Sequence, residues 1–106
     1  MIPEIDIETF AEQHAAGATT IDVRETDEYV EAHVPGAHLF PLSEFSERLV
    51  DLPIGPLLII CKSGGRSMKA AEMLAASGRP EATNVAGGTM AWIASGRDTV
   101  SGPERG

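Results

Sequence analysis

The residues best suited to chemistry lie in one stretch, Cys61-Lys62-Ser63-Gly64-Gly65-Arg66-Ser67. Cys61 is the chain's one cysteine. A free thiol near pKa 8.5 is only about 3% thiolate at pH 7, and the thiolate is the nucleophile. A downward shift of roughly two units makes the thiolate dominant, for about 2.7 kcal/mol of differential stabilisation. The residues that follow Cys61 suit that task. Gly64 and Gly65 let the backbone turn inward without a Cβ in the way. Ser67 reads as the N-cap of a helix, whose N-terminus presents unsatisfied N–H groups and partial positive charge to an anion. Lys62, Arg66 and Lys69 add three cations with no acid among them. The expected device is a sulfur anion held in a collar of main-chain amides from Lys62 to Ser67. An inert core cysteine, the alternative, needs neither the double glycine nor the arginine.

The flanking sequence positions that loop. Leu57-Leu58-Ile59-Ile60, bounded by Pro53, Gly55 and Pro56, reads as a short strand buried on both faces. After the loop, Met68, Ala71, Leu74 and Ala75 recur on one helical face, and Gly78 and Pro80 end the helix. Upstream, Pro3-Glu4-Ile5 reads as an opening strand. Asp6 caps a helix carrying Ile7, Phe10, Ala11 and His14, which stops at Gly17. Thr19–Val23 is a β-branched strand, and Thr26 caps a short acidic helix. His33-Val34-Pro35-Gly36-Ala37 is a turn. His38-Leu39-Phe40 is briefly extended, and Ser43 opens a further helix that Pro53 closes. Thr83–Ala86 forms the last strand, Gly87-Gly88 a tight turn, and Met90–Ile93 a final helix.

Strands alternating with helical segments predict a mostly parallel α/β sheet covered on both faces. Such sheets bind ligands at the carboxyl ends of their strands. Asp22-Val23-Arg24, Cys61–Ser67 and Gly87-Gly88 all fall at that edge. A chain of 106 residues suits one domain. Residues 1–98 should form it, and the polar stretch 99–106 should be loosely ordered. No apolar run is long enough to span a bilayer, and no charged-then-apolar leader opens the chain, so no membrane role is expected. One cysteine excludes an internal disulfide or a multi-cysteine zinc site, and points to a reducing, cytoplasmic setting. Net charge is −8, which argues against nucleic acid. Residues 1–51 hold twelve acids against Arg24 and Arg48, whereas residues 52–106 hold four acids against six bases. Positive charge therefore surrounds the cysteine loop. A small anion would be drawn there, and a basic partner protein could dock elsewhere.

Four segments in this order and spacing resemble the rhodanese family of sulfurtransferases in its single-domain form. They are Ile21-Asp22-Val23-Arg24-Glu25, His33-Val34-Pro35-Gly36-Ala37, Cys61–Ser67 and Gly87-Gly88-Thr89-Met90-Ala91-Trp92. The resemblance implies a three-layer α/β/α fold with a five-stranded sheet. It also implies that Cys61 takes a sulfane sulfur from a donor such as thiosulfate, and passes it to a thiophilic acceptor such as cyanide or a thiol, with no cofactor or metal. In that reading Lys62 and Arg66 bind the anionic donor and Ser63, Gly64, Gly65 and Ser67 line the loop. Arg24 either helps bind the anion or pairs with Asp22. His14, His33 and His38 take core or turn roles, Trp92, Met68 and Met90 pack, and Lys69 faces solvent. Thiosulfate-specialised relatives carry a lysine two residues after the cysteine and an extra arginine on the helix after the second strand. Ser63 and Glu28 stand there in this chain, which puts thiosulfate, not sulfur transfer, in question. Two rival readings are a cysteine-dependent phosphatase or arsenate reductase, and a persulfide relay serving a partner protein. The first expects five residues between cysteine and arginine, where this chain has four. A missing resolving cysteine argues against thiol–disulfide redox work.

Overall fold

The computed structural model describes residues 1–106. Five strands form one sheet: β1 (Glu4–Ile5), β2 (Thr19–Asp22), β3 (His38–Leu39), β4 (Leu57–Ile60) and β5 (Ala82–Val85). Their order across the sheet is β1-β5-β4-β2-β3, and every neighbouring pair is parallel. The α-helices are α1 (Ile7–Ala15), α2 (Thr26–Glu31), α3 (Gly65–Ala76) and α4 (Gly88–Ala94). The segment after Pro41 forms two 3-10 turns, Leu42–Glu47 and Leu49–Asp51, rather than an α-helix opened by Ser43.

The aliphatic run of β4 explains the layering. Side chains alternate across a strand, so Leu57 and Ile59 join one apolar cluster with Ala70, Ala71 and Leu74 of α3 and with Phe45. Leu58 and Ile60 join the opposite cluster with Phe10, Tyr29, Val85 and Trp92 of the other helices and β5. All four β4 residues are buried. The result is the three-layer α/β/α arrangement expected, with β4 at the centre. The chain leaves β2 toward β3 on one side and leaves β4 toward β5 on the other. That reversal opens a crevice at the carboxyl ends of β2 and β4, where Cys61 lies.

Several local expectations change. The buried face of α3 is Ser67, Ala70, Ala71 and Leu74, whereas Met68 is half-buried and Ala75 exposed. The helix begins three residues earlier than a Ser67 N-cap requires, with Gly64 as its N-cap at φ +118°, so Ser67 lies inside the first turn with its hydroxyl free to turn inward. Helix α2 is capped from Glu25 rather than Thr26, the Glu25 N–H donating to the Glu28 carboxylate at 3.0 Å. Asp6 caps α1 as expected, accepting from the Thr9 N–H at 2.8 Å.

The stretch 99–106 is not loose. Val100 and His33 exchange backbone bonds in an antiparallel bridge. Gly102 N–H donates to the Val30 carbonyl, and Gly36 N–H to the Arg105 carbonyl. The tail's main chain, with the Ser101 hydroxyl on the Glu31 carbonyl, pairs backbone groups that α2 and the α2–β3 connection leave open. His33, fully buried, stacks on Tyr29 with ring centroids 3.6 Å apart. His14 bridges the Thr20 hydroxyl and the Pro35 carbonyl. No helix is long and apolar enough to cross a membrane.

Candidate active site

Strand β4 delivers Cys61 to the carboxyl edge of the sheet, and the loop to α3 wraps its sulfur. The residue is 1% exposed and borders the α3 cluster, yet its Sγ faces the loop. Gly64 N–H donates to Sγ at 3.1 Å and the Ser67 hydroxyl at 3.3 Å. Burial pushes the thiol's pKa up. The Ser67 hydroxyl and the N–H groups of Ser67, Gly64 and Ser63 push it down, and they prevail, so it lies below the ordinary cysteine value. Hydrogen bonds to the charged form favour it, and here they outweigh desolvation.

Gly87-Gly88 does more than turn the chain. A Cβ on Gly88 would come within 2.5 Å of the Cys61 carbonyl oxygen and 2.6 Å of that of Lys62. That close approach lets Thr89 N–H donate to the Cys61 carbonyl at 2.8 Å, its hydroxyl to the same oxygen at 3.0 Å, and Met90 N–H to the Lys62 carbonyl at 3.0 Å. Both carbonyls are drawn toward the start of α4, which leaves the loop's N–H groups for the sulfur. The sequence places Gly87-Gly88 at the functional edge as a tight turn, and Thr89, which it does not single out, follows directly from that double glycine.

The two arginines have different surroundings. Arg24, counted among the candidate anion binders, takes its other expected role. Its Nε and Nη2 donate to the Asp22 carboxylate at 2.8–3.1 Å, and Nη1 and Nη2 reach the carbonyls of Glu28 and Ala32. The residue is 6% exposed, and most of its donors are used within the protein. Arg66 reaches the Glu28 carboxylate through both terminal nitrogens, at 2.7 and 2.8 Å. That guanidinium holds the Glu28 carboxyl at about 2, against partial burial and with help from the Glu25 N–H. Lys62 and Lys69 are exposed and form no ion pair. Ser63 on the loop and Gly65 at the first position of α3 are exposed.

Beside the loop lies a cleft of about 270 Å³ between α2 and α4, bordered by Arg24, Glu28, Lys62, Thr89, Met90 and Ile93. A larger groove, about 560 Å³, lies at the amino end of β4 between Leu49–Gly55 and Ser77–Glu81, at the opposite end of the strand from Cys61. The smaller cleft is the one beside Cys61, through its neighbour Lys62 and through Thr89, which bonds the Cys61 carbonyl. No group of His, Cys, Asp and Glu is arranged to hold a metal ion.

Fold and site together define a parallel α/β domain with a single activated cysteine at the central strand's carboxyl end. The profile of the Rhodanese-like domain matches residues 6–95, and the chain belongs to that family of sulfurtransferases. It is 37% identical over 94 residues to YrkF of Bacillus subtilis, a protein whose name proposes a sulfur-carrier role. That match covers 86% of this chain and 51% of YrkF, so the chain spans about half that relative's length. A sulfurtransferase of Allochromatium vinosum is 29% identical over 104 residues, covering 95% of this chain and 97% of the relative. The crystal structure of a rhodanese-related protein from Thermoplasma volcanium superimposes with a TM-score of 0.84 at 30% identity, covering 92% of this chain and 97% of that one.

Proposed function

We propose that this protein moves sulfane sulfur through a Cys61 persulfide. The single observation that carries the reading is the pair of donors, Gly64 N–H and Ser67 hydroxyl, aimed at Sγ. The Cys61 thiolate attacks the outer sulfur of a donor such as thiosulfate. A bond forms between Sγ and that sulfur, and the donor's own S–S bond breaks with its electron pair leaving on sulfite. The persulfide's terminal sulfur is anionic, and the loop amides serve the charge on it. A thiophilic acceptor, cyanide in an assay or a thiol, then attacks the outer sulfur and releases the thiolate. Neither metal nor organic cofactor enters this scheme. A cytoplasmic, reducing setting suits a thiol that must stay free.

The Arg66–Glu28 pair favours a second reading, a relay that takes sulfur from one protein and hands it to another. A compact dianion such as thiosulfate competes with Glu28 for Arg66 and finds Lys62 as the one unpaired cation on the loop. A persulfide carried on a partner protein does not need a sulfonate site. The same pairing, with four residues between Cys61 and Arg66, disfavours phosphate-ester or arsenate chemistry, which wants a free guanidinium and a wider loop.

Thiocyanate formation from thiosulfate and cyanide tests the assignment, with Cys61→Ser as control. Turnover should vanish in the variant. Incubation with thiosulfate should add one sulfur to the Cys61 peptide, removable by cyanide, in mass spectrometry. Turnover that survives Cys61→Ser would discard the mechanism, and Cys61-dependent hydrolysis of an aryl phosphate would reverse the choice of reaction. Loading of Cys61 by a persulfide-bearing protein but not by thiosulfate would select the relay.

A further inference from the structure

Strand β5 carries a residue that strand chemistry does not ask for. Asn84 is 1% exposed in the sequence Ala82-Thr83-Asn84-Val85, where a β-branched side chain would pack without a polar group to satisfy. Its Nδ2 donates to the Glu4 carboxylate at 2.7 Å and to the Gly64 carbonyl at 3.3 Å, while Oδ1 is buried without a partner. Glu4 is its register partner across the β1–β5 pairing. The amide thus works through its N–H groups alone, at the cost of an unpaired oxygen. Gly64, at φ +118°, is the residue whose own N–H meets the Cys61 sulfur.

We propose that Asn84, oriented by Glu4, is a positioning residue that anchors the Gly64 carbonyl and so, across the Gly64 Cα, keeps the Gly64 N–H aimed at Cys61 Sγ. Glycine in the left-handed region has little local preference to keep it there. Met68 N–H grips the Gly64 carbonyl from the helix side, at 3.2 Å. Asn84 grips it from the sheet side. With that carbonyl held from two directions, the Gly64 Cα is anchored, and the Gly64 N–H, which belongs to the preceding Ser63–Gly64 peptide, can leave the sulfur only by rotation about the Gly64 φ bond. The Glu4 carboxylate fixes which way the carboxamide faces and strengthens the contact, since a charged acceptor binds the amide more tightly than a neutral one. Asn84 does not touch the sulfur. The charged groups around the sulfur, Lys62, the Arg66–Glu28 pair and the buried Arg24–Asp22 pair, are untouched by changes at position 84.

This inference rests on Cys61 acting as a thiolate, and iodoacetamide alkylation followed against pH tests the two ideas separately. The wild-type midpoint reports on the thiolate itself; a value at the ordinary cysteine level would sink that reading and this one with it. The difference between variant and wild type reports on Asn84. In Asn84→Ala and Asn84→Asp the midpoint should rise by about one pH unit, the worth of one hydrogen bond to a charged group. The aspartate should show the larger change, because its carboxylate faces two acceptors. Glu4→Gln keeps an acceptor for Nδ2 and should stay near wild type, whereas Glu4→Ala should show part of the rise. A folded Asn84→Ala with an unchanged midpoint overturns the proposal, whatever happens to its melting temperature. If the position 84 variants do not fold, an unchanged midpoint in Glu4→Ala, altered at the surface, overturns it equally.

Discussion

Two arginines flank the sulfur loop, and they differ in what surrounds them. Arg24 and Asp22 have side chains 7% and 0% exposed, whereas Arg66 and Glu28 are 34% and 30% exposed. Both pairs engage the carboxylate through two guanidinium nitrogens. The first is sealed between the end of β2 and helix α2, so breaking it strands a charge away from water. The second faces the cleft, where solvent or a ligand can replace either partner. Burial therefore makes one pair scaffold and leaves the other open to exchange with an anion.

The largest expected effect falls on the sealed pair. Asp22→Asn should cost about 3–5 kcal/mol in urea unfolding, the range for an uncompensated buried charge, a large share of a domain's typical 5–15 kcal/mol. A loss of under about 1 kcal/mol would mean that the pair behaves like a surface contact and would erase the contrast. The open pair should show the opposite profile. Glu28→Gln keeps an acceptor for the Glu25 N–H but removes the charge that occupies Arg66. The KM for thiosulfate should then fall roughly fivefold, with about 1 kcal/mol or less lost in stability. A KM that stays put in Glu28→Gln would show that Arg66 does not meet the donor. The fall should also shrink as salt is added.

The smallest effect is in acid. The Glu28 carboxyl sits at about 2 in the folded protein against an ordinary 4.5. A depressed carboxylate stabilises the folded state above its unfolded value and loses that contribution as pH falls from about 4.5 toward about 2. After allowance for screening at a partly exposed pair, about 1 kcal/mol or less should disappear across that window. Glu28→Gln should lack this component, which a comparison of acid unfolding in wild type and variant would reveal. His38 lies below its usual value, through burial first and the neighbouring Arg105 second. Its stability contribution is therefore full above the ordinary histidine value and declines as pH falls through and below it. That change should appear equally in the Glu28 variant, which separates it from the pair.

Much of the architecture was readable from residue order. The unbroken Leu57–Ile60 run could satisfy its side chains only between two apolar layers, and the alternation of strand and helix signals required parallel pairing. Cys61, Gly64 and Gly65 stood out because a strand end followed by a double glycine has few other uses. Local pattern did not reveal partners that sit far apart in sequence. Glu28 and Arg66 are 38 positions apart, Glu4 and Asn84 are 80, and the tail's contacts with the α2–β3 connection span some 70. Periodicity also misjudged the face of α3, because it cannot see that Ser67, a polar residue, is drawn inward by the sulfur.

The amino-acid sequence by itself determined the cysteine at the strand end, the loop that wraps it, and the layered sheet that presents both, because each follows from short-range sterics and hydrophobic period. Only the tertiary structure decided which charges are free and where each peptide dipole points. Those depend on side chains meeting across strands and helices, and a guanidinium's charge means one thing alone and another when a carboxylate from a distant helix has already taken it.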